Sequence, residues 1–132
     1  MDTNRPGTFW CEYMTGRHIS VDYAYTYHTG YQPFLTVEGE KKSEKFIKWS
    51  KIDHIIPELP PILHGLNKNY LFINCEYIGG KLIEAHFRRN PDFSFHNYTE
   101  LIPVWHEWKY YNETGYVRLE AKDGDRLGFL AR

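Results

Sequence analysis

Between Tyr70 and Arg88 the chain carries two runs of alternating character joined by Gly79-Gly80, a pattern that specifies a β-hairpin. In the second run Glu84, His86 and Arg88 take every second position, and Ile83, Ala85 and Phe87 fill the places between them. Side chains along a strand repeat with a period of two, so the polar three share one face and the apolar three the other. The apolar face is expected to pack on a core. A carboxylate, an imidazole and a guanidinium are then left pointing at water, a ligand or a metal.

The register of the hairpin decides whether its first strand can join that polar row. Opposed residues of an antiparallel pair share a face, so a strict two-residue loop sets Cys75 opposite Glu84 and turns Glu76 toward Ile83 and Phe87. A three-residue loop with a left-handed glycine shifts the pairing by one and brings Asn74 and Glu76 to the face of Glu84 and His86. The second register also sends Ile73, Cys75 and Tyr77 to the core with Ile83, Ala85 and Phe87. It is the one expected.

Strand signals dominate the rest of the chain. Thr8 to Tyr13 is β-prone, a Gly turn follows between Met14 and Arg17, and His18 to Tyr27 alternates, which together read as a hairpin. Thr29-Gly30 is a turn and Gln32 to Glu38 a third strand. Lys41 to Lys51, with Phe46, Ile47 and Trp49 set among charges, reads as an amphipathic helix with a solvated face. Pro57, Pro60 and Pro61 break any long helix, although Pro60 or Pro61 can open a short one through Ile62, Leu63 and Leu66 that ends at Gly65 or Asn67. Asn97 is a plausible cap for a short helix from Tyr98 to Leu101. Asp123-Gly124-Asp125 joins a last hairpin, Tyr116 to Lys122 with Arg126 to Leu130. The class expected is α+β: a mainly antiparallel sheet with one or two helices packed on one face, in a single domain spanning residues 1–132.

Charge and composition narrow the function classes. The formal net charge is -1, from sixteen basic and seventeen acidic residues, so no overall field draws the chain to nucleic acid or anionic lipid. Neither nucleic acid nor membrane is an expected partner. Cys11 and Cys75 lack CxxC spacing and read as reduced, buried small residues. No signal-peptide pattern opens the chain and no apolar run reaches the roughly 20 residues of a membrane span, so a cytoplasmic location is expected.

Two segments, Phe9 to Tyr25 (FWCEYMTGRHISVDYAY) and Phe72 to Phe93 (FINCEYIGGKLIEAHFRRNPDF), resemble the carboxyl-terminal lobe of an ATP-grasp domain. In that family a strand ending in Glu leads into a hinge whose backbone pairs with adenine, and a Gly-Arg turn precedes a strand like the one here. Glu12, Tyr13 and Met14 match the hinge and Gly16-Arg17 the turn, and His18 stands where a Glu usually binds the ribose hydroxyls. A later hairpin in the family supplies an acid and a Glu-x-Asn-x-Arg signature that bind magnesium and the ATP phosphates. Glu76 and Glu84 match the acids, Arg88 matches the Arg, and His86 replaces the Asn, which suits manganese or zinc better than magnesium.

The resemblance implies ATP-dependent ligation, in which ATP phosphorylates a carboxylate and an amine or thiol captures the acyl phosphate. Nucleotide binding falls to Glu12, Tyr13, Met14 and His18, and binding of Mg2+ or Mn2+ to Glu76, Glu84 and His86. Arg88 takes the catalytic role of stabilising charge on the transferring group. Only eleven residues precede Glu12, so the amino-terminal lobe that covers the phosphates in that family is expected to be missing. Activity would then need a second chain to supply it. Two plainer alternatives stand beside this one. A Glu-x-His-x-Arg row is common on solvated strand faces with cross-strand ion pairs. Trp105, Trp108, Tyr110 and Tyr111 suit either a core or the stacking platform of a noncatalytic module for a glycan or protein partner, with core the expectation.

Overall fold

Strand β1 (His18–Thr26) runs buried on both faces from His18 to Tyr23, which places it inside the sheet. The computed structural model describes residues 12–66, 70–94 and 97–132. They form one eight-stranded sheet in the order β5-β4-β1-β2-β3-β6-β8-β7, antiparallel at each neighbouring pair. The other strands are β2 (Gly30–Lys42), β3 (Lys45–Lys51), β4 (Phe72–Ile78), β5 (Lys81–His86), β6 (Glu100–Val104), β7 (Val117–Asp123) and β8 (Arg126–Ala131). Among the described residues, helical structure is confined to α1 (Pro91–Ser94) and two short 3-10 turns, Pro61–Leu66 and Trp108–Tyr110. No helix among the described residues is long and apolar enough to cross a membrane. The predicted run from Thr8 to Cys11, together with Asn67, lies outside the described residues.

The expected mainly antiparallel sheet is present, but its helical part differs from expectation. The helix expected over Lys41 to Lys51 is instead the end of β2, a turn, and β3. The physical reason is a bulge. Lys41 pairs with Phe46 and Glu40 with Lys48, so Ile47 is the extra residue and Phe46 and Trp49 fall on one face. A bulge therefore creates the three-residue spacing that otherwise signals a helix. The two rings lie 4.4 Å apart and cover Gly39, where a Cβ would come within 2.6 Å of Phe46. The helix expected from Tyr98 to Leu101 is likewise replaced, because Glu100 begins β6 and pairs with Ser50.

Helical pieces also cover both faces of the sheet, not one. On the first face Ile19, Val21, Tyr23, Ile73, Cys75 and Tyr77 form a core cluster beneath the chain from Ile52 to Leu66, with Leu59 buried in it. The prolines expected to prevent a long helix there do so, and the Pro57 carbonyl accepts a 2.8 Å hydrogen bond from Tyr23. On the second face Phe93 of α1 packs with Val37, Leu101, Phe129 and Ala131. Residues from β1 and β4 share a cleft on this face with Asp123 and Arg126 of the β7–β8 turn region, so the sheet curls over it.

The β4–β5 hairpin has the expected register but reaches it by another device. Gly79 and Gly80, both at positive φ, form a two-residue loop, with Ile78 opposite Lys81 and Tyr77 opposite Leu82. A bulge at Ile83 then shifts the pairing, so that Glu76 opposes Glu84 and Asn74 opposes His86. It also brings Leu82 onto the core cluster in place of the expected Ile83, Ala85 and Phe87. Because β5 is a sheet edge, Ala85 is exposed, and Phe87 stacks at the surface on Tyr70, 4.2 Å away.

Candidate functional site

The polar face of three neighbouring strands builds the site from registered rows. Ser20, Glu76 and Glu84 lie across one row, and Asp22, Asn74 and His86 across the next. Asn74 Nδ2 donates to Ser20 Oγ and to Asp22 Oδ1, each at 2.8 Å, and the Asn90 amide donates to the same Asp22 oxygen at 2.8 Å. Asp22 is 1% exposed and its Oδ2 has no partner among the described residues. Burial raises its carboxyl above the ordinary range, against the pull of the Asn74 and Asn90 hydrogen bonds.

Glu76, Glu84 and His86 converge, with one possible ligand atom from each lying within 4.8 Å of the others. His86 Nε2 stands 3.5 Å from Glu76 Oε2 and 3.4 Å from Glu84 Oε2. His18 supports this trio from behind, its Nε2 3.0 Å from Glu76 Oε1. That hydrogen bond is the main reason the Glu76 carboxyl is held down at about 2, although burial opposes it. Glu84 is pushed the other way, first by its hydrogen bond to Glu76 and then by burial and charge repulsion. Two carboxylates with opposed shifts and one imidazole form a donor set that fits a divalent cation.

Beyond the trio the cleft continues past Ser20, Asn90, Arg88 and Asp92 to Arg126, enclosing about 230 Å³. Arg88 lies two residues past the end of β5 and donates only to the neighbouring Arg89 carbonyl among the described residues. It lines the same cleft as Glu76 and His86. Arg126 is drawn to Asp92 at 3.7 Å and donates to the Ala121 carbonyl, which makes it part of the wall.

Three of the four predicted nucleotide residues line a second cleft of about 710 Å³. Tyr13, Met14 and His18 line it together with Arg17, Glu38, Lys41 and Ile78. Glu12 is not in its wall and pairs with Lys81 at the start of β5. Gly79 has a structural duty here: its amide donates to the Arg17 carbonyl at 3.0 Å, and a Cβ on it would lie 2.2 Å from the Thr15 carbonyl oxygen. The hinge-like loop is therefore pressed onto the β4–β5 turn. His18 contributes its ring to the cleft wall, but its nitrogens face elsewhere, Nε2 to Glu76 and Nδ1 buried without a partner among the described residues.

Ser20, Asp22 and Asn74 complete the polar face; Asn74 stands where the expected register put it, and Ser20 and Asp22 were accessible through the same period-two reading applied to His18-Ile-Ser-Val-Asp22. Arg126, far along the chain, gives no local sequence signal. The aromatic segment expected in the core joins neither core cluster: Tyr110 is exposed, Trp105, Trp108 and Tyr111 are half-buried, Trp108 lies against Arg118, and the Trp105 indole donates to the Phe46 carbonyl at 2.7 Å. Compared with known proteins, the chain is matched by no family model, no curated protein and no solved structure.

Proposed function

We propose that this chain is the nucleotide- and divalent-metal-binding lobe of an ATP-dependent carboxylate ligase of the ATP-grasp kind, acting with a second lobe carried on another chain or segment. The observation that carries the reading is the convergence of Glu76, Glu84 and His86 within 4.8 Å, on a hairpin whose bulge puts both carboxylates on one face. The cleft lined by Tyr13 and Met14 lies on the other side of His18 and suits the base and ribose of ATP, with Glu12 at its margin.

In this reading Glu76, Glu84 and His86 hold Mg2+ or Mn2+, and the ion neutralises phosphate charge when bound. The chain's own contribution is positioning and charge. His18 fixes the Glu76 carboxylate, the Thr15–Arg17 loop holds the nucleotide cleft against the metal hairpin, and Arg88 presents a guanidinium to the transferring group. Calorimetric titration with ATP in the presence of Mn2+ tests this. Wild type is expected to bind the complex, with Glu84→Gln weakening it by about tenfold or more. Equal binding by both proteins, or none by either, refutes the reading for this chain.

A further inference from the structure

The donor set at the hairpin carries information about which ion it takes. Mg2+ favours oxygen ligands in near-octahedral geometry at about 2.0–2.1 Å, so adjacent ligands on it sit about 2.9 Å apart. Two ligands each about 2.1 Å from a tetrahedral ion lie about 3.4 Å apart, and nitrogen is a normal member of such a shell. His86 Nε2 is 3.4 and 3.5 Å from its two carboxylate neighbours. Both separations are nearer the second spacing than the first, within a trio whose donor atoms all lie within 4.8 Å of one another.

The surroundings fit the same ion class. His18, whose side chain is nine-tenths buried, stands outside the trio and orients Glu76 through Nε2, as partners of metal-bound carboxylates do. Nδ1 of His18 is buried without a partner among the described residues, so Nε2 is the nitrogen that holds Glu76. The open side of the trio, where Glu84 is 57% exposed, leaves positions for water or a substrate oxygen.

We infer that Glu76, Glu84 and His86 form a site selective for a first-row transition-metal dication over Mg2+, with His86 Nε2 as the discriminating donor. The inference rests on the metal-binding reading above and narrows it. Replacing the imidazole by an amide removes the nitrogen and leaves an oxygen, so His86→Asn is expected to move the site toward Mg2+.

The test is titration of the whole chain with Co2+ and with Mg2+, following heat and, for Co2+, visible absorption, in wild type, His86→Asn and Glu84→Gln. Thermal melts establish that each variant is folded. Wild type is expected to favour Co2+, and His86→Asn to lower the ratio of Co2+ to Mg2+ affinity by about tenfold or more. Glu84→Gln is expected to weaken both ions. If His86→Asn leaves the ratio and the Co2+ spectrum unchanged while Glu84→Gln abolishes binding, the selectivity is refuted and the metal site stands. If neither ion binds the wild type, the metal reading itself fails.

Discussion

On one face of β1 and β4 lie Ile19, Val21, Tyr23, Ile73, Cys75 and Tyr77, and on the other face of the same strands lie His18, Ser20, Asp22, Asn74 and Glu76. Both sets are removed from water, yet by different physics. The first excludes solvent with apolar area, and its only polar atoms are tied up, as in the 2.6 Å contact between the Tyr23 and Tyr77 hydroxyls. The second buries amide, hydroxyl, imidazole and carboxylate groups that gain little from burial and depend on one another for hydrogen bonds. A structural strand needs only the first solution. The second opens onto Glu84, His86 and Arg88, the face on which the proposed site rests.

The comparison can be broken from either side. Ile73→Ala on the apolar face is expected to have the largest effect, about 2–5 kcal/mol of lost stability by urea unfolding, because it opens a cavity in the core. Asn74→Ala on the polar face should cost less, about 1–3 kcal/mol, since the Asp22 carboxylate loses a donor that water cannot easily replace. A loss for Asn74→Ala no greater than for an exposed residue would show that the polar face is not held by its network.

Acid sensitivity separates the faces further. The Glu76 carboxyl sits at about 2 in the folded protein against an ordinary 4.5, so it contributes stability that is complete above 4.5 and is lost as pH falls toward 2. Urea midpoints measured across that window should decline in wild type and decline less in Glu76→Gln, whereas Ile73→Ala should shift the curve without changing its slope. Glu84 has the opposite sign. Its carboxyl is raised by Glu76, so near neutral pH its charge opposes folding, and Glu84→Gln should raise Tm slightly in metal-free buffer while weakening metal binding. A lower Tm would mean that Glu84 serves the fold more than a ligand.

The sequence revealed the β4–β5 hairpin because Gly79-Gly80 marks its turn, and the alternation of Ile73, Cys75 and Tyr77 with Asn74 and Glu76 favours one register. It also showed the Asp123-Gly124-Asp125 turn and the proline-broken cover at residues 57–66. What it concealed depended on single extra residues and distant partners. The bulge at Ile47 makes a strand look helical, and the bulge at Ile83 does the work expected of a longer loop. Within the site, the trio of Glu76, Glu84 and His86 was legible from period and register. The His18–Glu76 hydrogen bond was not, because it joins residues 58 positions apart through strand order alone.

The central claim is that the polar face of this hairpin binds a divalent cation through both carboxylates, and paramagnetic resonance of free Mn2+ tests it most directly. Added wild-type protein is predicted to quench the free-ion signal to a limit of one site per chain, and Glu84→Gln to leave most of that signal in place. A wild-type protein that leaves the signal untouched, or two proteins that quench it equally, would contradict the account.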